Sequence, residues 1–211
     1  MNRYVTEMIG TFFLVFTIGM VVIAGLAAAP LVIGSMLMVM IYMGGPVSGA
    51  HYNPAVTIAI YLRGAMAKGD ILPYIGAQIF GAWLAANAVQ FITGETFAPA
   101  PGAAYGSLQA LAAEVLVTFA LVLVILNVAT AKSTEGNSYF GLVIGFTVMA
   151  GAYSVGEVSG GAFNPAVGIG PIIVDILSGG DSLGNLWLYL VGPVVGSLCA
   201  VPVFRLQNPE G

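Results

Sequence analysis

The sequence predicts an all-α membrane protein of six transmembrane helices and two re-entrant half-helices, arranged as an inverted internal repeat. Three observations predict it. Of 211 residues, 59% are hydrophobic and 7% charged, against about a quarter charged in ordinary globular domains, so the chain cannot coat a water-facing surface of its own. Six apolar segments follow one another along the chain. One signature occurs twice: Ser48-Gly49-Ala50-His51-Tyr52-Asn53-Pro54-Ala55-Val56 returns as Ser159-Gly160-Gly161-Ala162-Phe163-Asn164-Pro165-Ala166-Val167.

The apolar segments run over residues 4–26, 31–43, 71–92, 108–131, 139–155 and 186–204. A span needs about 20 residues. The second and fifth are short unless they extend toward the signature that follows each. No cleavage site of small residues follows the first segment, which reads as a span rather than a secretory leader. In each signature Asn precedes Pro, the pattern of an N-cap followed by the first helical residue, where proline's missing N–H costs nothing. Residues 53–62 and 164–177 are therefore helices too short to cross, and each enters the membrane and returns.

With six spans and the N-terminus inside, Arg3, Arg63, Lys68, Lys132 and Arg205 fall on the cytoplasmic side, and the opposite loops carry no Lys or Arg. That asymmetry puts both termini in the cytoplasm. The repeat extends beyond the signatures. Glu7-xxx-Thr11-Phe12 reappears as Glu114-xxx-Thr118-Phe119, and Tyr74…Gly81-Ala82 as Tyr189…Gly196-Ser197. One channel-like domain, 1–211, is expected, with repeat 1 over about 1–95 and repeat 2 over about 107–211. An odd number of spans per half inverts the second copy. Inverted repeats with broken helices place the functional site near the midplane, where the half-helices meet N-terminus to N-terminus.

Other chemistry is poorly supported. The net charge of −4 rests on five basic and nine acidic side chains and suggests no nucleic-acid partner. One His, one Cys (Cys199) and no acidic cluster leave no nucleophile–base pair or metal site, so neither catalysis, a metal nor a cofactor is expected. Spaced glycines such as Gly76, Gly81, Gly141, Gly145, Gly192 and Gly196 fit close helix–helix approach.

Two Asn-Pro-Ala signatures in Ser-Gly lead-ins, six spans, and paired Glu residues in spans one and four resemble the major intrinsic proteins, the aquaporin and aquaglyceroporin family, over essentially the whole chain. The residues themselves support a pore. Loops 44–52 and 156–163 can expose successive carbonyls along one wall, irregular backbone at membrane depth being tolerated where it lines a water-filled cavity. Asn53 and Asn164, with Pro54, Ala55, Pro165 and Ala166, mark the midplane. There the side-chain amides donate and both helix dipoles aim positive ends, favouring neutral solutes and repelling cations. The Asn side chains are also helix caps, which uses their oxygens and leaves their amide hydrogens free. Glu7 and Glu114 would be proton or cation sites in a coupled carrier. The resemblance implies instead that they brace the loops by accepting backbone N–H groups, and their symmetry favours bracing. His51 lies near the cytoplasmic half and either lines the pore, the favoured reading, or bonds a loop carbonyl.

The chain departs from the family at the filter. Most members carry Arg directly after the second Asn-Pro-Ala, where this chain has Val167. Alignment outward from the signatures places the other filter positions at Ile33, Ala152 and Gly161. Ile, Ala, Gly and Val make a wide, apolar mouth without side-chain donors. The expected function is a passive channel for water and small uncharged solutes of the glycerol and urea type, with metalloid hydroxides such as arsenous acid as candidates. The alternatives are a mainly water-conducting pore or an ion-coupled secondary carrier. The expected partners are the lipid bilayer, water and neutral solutes. The resemblance further implies a homotetramer, and short loops point to a prokaryotic inner membrane.

Overall fold

The structure is a computed structural model that describes residues 1–209. Eight α-helices follow in order: α1 (Asn2–Ile23), α2 (Ala29–Ser48), α3 (Pro54–Arg63), α4 (Ile71–Thr93), α5 (Ser107–Thr130), α6 (Phe140–Ser159), α7 (Pro165–Leu177) and α8 (Leu186–Gln207). Six are long and apolar enough to cross a membrane, and α3 and α7 are the short apolar helices. The half-helices start where the Asn-Pro pairs dictate. Asn53 and Asn164 are extended, at φ −155° and −158°, and each side-chain oxygen accepts the backbone N–H two residues on, Ala55 or Ala166, at 2.9 Å. Pro54 and Pro165 fill the first helical position.

The boundaries differ from the sequence reading in one useful way. Helices α2 and α6 do not stop at Gly44 and Val155 but continue through Ser48 and Ser159. The irregular backbone is thereby confined to residues 49–53 and 160–164, shorter than loops 44–52 and 156–163. Both helices end on a glycine with φ +85°, Gly49 and Gly160, the left-handed conformation that costs glycine least. Glycine and proline within 44–48 are poor helix formers in isolation, but an apolar surround offers the backbone no better partners than its own.

Helix α1 packs against α2 and α4, and α5 packs in the same way against α6 and α8. The main contacts that join the halves are α2 with α6, α3 with α8, and α4 with α7, and α3 also meets α5 and α7. Each half-helix thus rests on the last span of the opposite half, where the Ser197 hydroxyl of α8 donates to Ala55 O of α3 at 2.7 Å. The basic residues gather at one end of the bundle. There Arg3 pairs with Asp70 at 3.2 Å, Arg63 donates to Thr130 O, and Arg205 donates to Leu62 O.

Glycine sets the tightest crossings. A Cβ on Gly81 would collide with Met8 O, and one on Gly196 with Val115 O, while Gly34 and Gly145 each leave room for the other's carbonyl. Gly141 and Gly192 likewise face Tyr42 and Glu114 closely. Gly76 is the exception to the packing expectation: nothing lies within 4 Å of where its Cβ would stand. Gly81→Ala and Gly196→Ala are therefore expected to cost about 1–3 kcal/mol each through overpacking. Gly76→Ala should be neutral or slightly stabilising, because alanine favours the helix by about 1 kcal/mol. Thermal unfolding in detergent distinguishes the three.

Candidate functional site

The two loops that lead into α3 and α7 are held by one arrangement used twice. Glu7 of α1 is fully buried and accepts four hydrogen bonds: Ser48 Oγ at 2.7 Å, His51 N at 2.9 Å, Tyr52 N at 2.7 Å and Gln78 Nε2 at 2.8 Å. Glu114 of α5, equally buried, accepts three: Ser159 Oγ at 2.7 Å, Ala162 N at 3.0 Å and Phe163 N at 2.7 Å. The serine hydroxyls in turn accept Ala50 N and Gly161 N. Tyr74 and Tyr189 donate to the carbonyls of Ser48 and Ser159, locking the helix ends.

This pattern has a geometric consequence. The N–H groups of 49–52 and 160–163 are all spent inward, on Gly45 O or Gly156 O, the serine hydroxyls and the glutamates. Backbone on which successive N–H groups point one way turns its carbonyls the other way. Ala50, Tyr52 and Phe163 adopt φ of 51°, 50° and 50° to do so, and Gly161 adopts 63°. Such left-handed conformations cost L-residues about 1–2 kcal/mol each and persist because the charge-assisted bonds to glutamate over-determine them.

At the waist the halves interlock. Asn53 Nδ2 donates to Phe163 O at 2.9 Å and Asn164 Nδ2 donates to Tyr52 O at 2.8 Å. The half-helices therefore abut N-terminus to N-terminus. Each Asn amide spends one of its two hydrogens on the opposite loop, so one per side chain remains, not both as the capping argument left free. The carbonyls of Gly49, Ala50, His51, Gly160, Gly161 and Ala162 stay outside this network.

A cavity of about 1000 Å³ runs past the waist from end to end. Its walls include Asn53, Asn164, His51 and all four positions Ile33, Ala152, Gly161 and Val167. Pro54, Ala55, Pro165 and Ala166 lie behind the lining, buried under the first turns of α3 and α7. Glu7 and Glu114 also lie behind it. One wall carries the loop backbone, and the facing wall is apolar, built from such residues as Leu14, Leu37, Ile41, Leu121, Ile125 and Ile144. Charged lining side chains occur only at the mouths, Arg3 and Asp70 at one end and Glu157 at the other. Among the described residues no cluster of His, Cys, Asp or Glu could hold a metal ion.

Three participants escaped sequence reasoning. Gln78 links Glu7 to Thr57, donating to both. A polar residue buried mid-span was the only signal for it. Segment 97–100 folds back to line the mouth at the Glu157 end, with Phe97 buried against Gly19 and Val89. No pattern in the sequence marked it. Ser48 and Ser159 stood in the repeated signature, but their reach to the glutamates depends on tertiary placement.

Comparison with known proteins agrees with this geometry. The family model described as "Major intrinsic protein" matches residues 1–204. The chain is 38% identical to the glycerol uptake facilitator protein-like 6 of Lactiplantibacillus plantarum, over 100% of both chains. It is 32% identical to aquaporin AqpM of Methanothermobacter thermautotrophicus, over 99% of this chain and 98% of that one. Its fold matches the X-ray structure of the aquaglyceroporin from Plasmodium falciparum with a TM-score of 0.84 at 24% identity, covering 97% of this chain and 98% of the other.

Proposed function

The chain belongs to the major intrinsic protein family, a family of membrane channels for water and small solutes, and from that premise we propose a passive pore that favours uncharged solutes bulkier than water. Glycerol- and urea-type molecules come first, with metalloid hydroxides such as arsenous acid as further candidates. The observation that carries the reading is the lining. A continuous cavity passes two abutting Asn-capped helix starts with no charged side chain between Asp70 and Glu157.

A solute entering from the Glu157 end meets Ile33, Ala152, Gly161 and Val167, a mouth with no cationic side chain and little bulk. It exchanges water for the carbonyls of one loop, passes the remaining amide hydrogens of Asn53 and Asn164, then meets the carbonyls of the other loop. The apolar wall opposite offers no alternative partner, so the solute keeps its polar side to the backbone. Positive helix ends and amide donors at the waist oppose cations and interrupt a proton wire.

Glu7 and Glu114 brace the loops in this reading. Their oxygens are occupied by backbone and side-chain donors and do not reach the cavity, so neither can serve a carrier as an ion-coupling group. Conduction involves no chemical step. The likeness to a relative named for glycerol uptake supports listing glycerol ahead of water alone. The chain forms one channel domain of two inverted halves and assembles as a homotetramer in a prokaryotic inner membrane. The basic end of the bundle, with both termini, faces the cytoplasm.

Stopped-flow shrinkage of proteoliposomes with water, glycerol, urea and arsenous acid tests the proposal. Downhill flux of glycerol and urea well above bare lipid, insensitive to ion gradients, is expected. Water flux alone would establish the narrower aquaporin reading, and dependence on an ion gradient would establish a carrier.

A further inference from the structure

The inverted repeat gives each outer lining position a mirror position at the same depth on the cytoplasmic side. Register is fixed by the matched bonds at both loops: Ser48 and Ser159 stand 2.7 Å from their glutamates, Tyr52 N and Phe163 N likewise. Counting from Asn53 and Asn164, Val167 corresponds to Val56, Gly161 to Ala50, Ala152 to Ile41 and Ile33 to Ile144. All four inner residues line the same cavity, and all are buried.

The two rings are not equal. Backbone and frame match, but the inner ring carries Ile where the outer has Ala, and Ala where the outer has Gly. In a common frame the extra carbon atoms must come out of the lumen. Beside the inner ring stands His51, whose outer counterpart is Ala162. The inner ring and its neighbour His51 therefore hold both the bulk and the polar side chain that the outer ring, with Ala162 beside it, lacks.

We infer that solutes are discriminated at this inner station, formed by Ile41, Ala50, Val56 and Ile144 with His51 beside them, and not at the outer mouth. The inference rests on the conduction reading above and adds the place and chemistry of selection. His51 acts there as a hydrogen-bond acceptor. Thr57 Oγ1 lies 3.1 Å from Asn53 O, 3.0 Å from Gln78 Nε2 and 3.1 Å from His51 Nδ1. A carbonyl only accepts and the amide nitrogen only donates. All three contacts are hydrogen bonds only if the hydroxyl donates to Asn53 O while Gln78 and His51 Nδ1–H both donate to it. The alternative, a hydroxyl donating to Nδ1, would set two oxygen lone pairs against each other at 3.1 Å. Gln78 holds its orientation even though its Oε1 is left buried without a partner, because Nε2 is pinned by Glu7 as well. With the proton on Nδ1, Nε2 is bare and without a protein partner among the described residues. The second half has Gly168 and Pro193 where the first has Thr57 and Gln78, so it can build no such device. The inner ring thus passes molecules that are slim and can donate an N–H or O–H.

Two measurements test this. In proteoliposomes whose wild-type flux is established first, Ile41→Ala with Ala50→Gly copies the outer ring onto the inner one. The glycerol-to-urea flux ratio is expected to rise about fivefold, the effect of lowering one barrier by about 1 kcal/mol. An unchanged ratio overturns the inner station. Ile41→Val, with a smaller expected rise, serves if the double variant does not assemble. Separately, the chain has a single histidine, so ring-15N-histidine NMR in bilayers reads one imidazole and needs no conduction. Protonated Nδ1 with bare Nε2 is expected in the wild type, the preference lost in Thr57→Val and restored in Thr57→Ser. Protonated Nε2 in the wild type, or a Thr57→Val spectrum like the wild type's, overturns the acceptor role.

Discussion

Glu114→Ala is expected to destabilise the folded chain by at least about 3 kcal/mol. The side chain is fully buried and accepts Ser159 Oγ, Ala162 N and Phe163 N. Alanine leaves all three donors without an acceptor in a region no water reaches, at about 1–3 kcal/mol apiece, and Phe163 at φ 50° loses the bond that holds it there. Against a total stability of about 5–15 kcal/mol, that is enough to release the loop that leads into α7. Glu7→Ala should cost more, because a fourth hydrogen bond, from Gln78 Nε2, is lost as well, although that amide keeps its bond to Thr57. The glutamine variants separate bonding from shape. At position 114 one carboxylate oxygen serves two donors and the other serves Phe163 N alone, so a glutamine can turn its NH₂ against a single donor. At position 7 each oxygen serves one backbone N–H and one side-chain donor, so the NH₂ must oppose a backbone N–H and also force Ser48 or Gln78 to turn and accept. Thermal unfolding in detergent should rank wild type above Glu114→Gln, and Glu114→Gln above Glu7→Gln. Wild-type melting of Glu114→Ala would mean that the loops are held by something else.

Val167→Arg is expected to cut glycerol and urea flux by about tenfold or more, with water flux reduced less. Val167 lies one residue past the second Asn-Pro-Ala and on the cavity wall. It is 4% exposed, so a guanidinium at this position has nowhere to go but the lumen. There it narrows a mouth otherwise lined by Ile33, Ala152 and Gly161 and supplies donors that the carbonyls of the 160–162 loop can bind. Raising the barrier by about 1.4 kcal/mol is a tenfold effect, and both steric exclusion and a new fixed charge act in that direction. Stopped-flow measurement on the proteoliposome panel reads the change. Unaltered glycerol and urea flux would mean that position 167 does not border the conduction path.

Much of this fold is legible in the sequence because the bilayer leaves few options. Long apolar runs must be helices, and Asn-Pro after a small-residue loop starts a helix wherever it stands. The repeated Glu, Tyr and Gly positions carry the symmetry in the sequence itself. What stayed hidden depends on tertiary juxtaposition. The continuation of α2 through Gly44-Gly45-Pro46 contradicts local propensity and follows from the lack of water to take the freed backbone groups. The donation of Asn53 to Phe163 O joins groups separated by 110 positions, and no local pattern encodes it. Gln78 was visible only as a polar residue in a span, and Gly76 looked like the other spaced glycines although nothing lies within 4 Å of where its Cβ would stand.

The reciprocal bonds at the waist also bear on biogenesis. Asn53 finds its acceptor on residue 163, and Asn164 finds its own on residue 52. While the ribosome is still making the second half, the first half already sits in lipid with a donor and an acceptor that nothing can meet. Closure of the midplane must therefore wait for the second half of the chain, since contacts of such long sequence separation cannot form before both partners exist. A nascent chain arrested before the second signature emerges has no route to a finished pore.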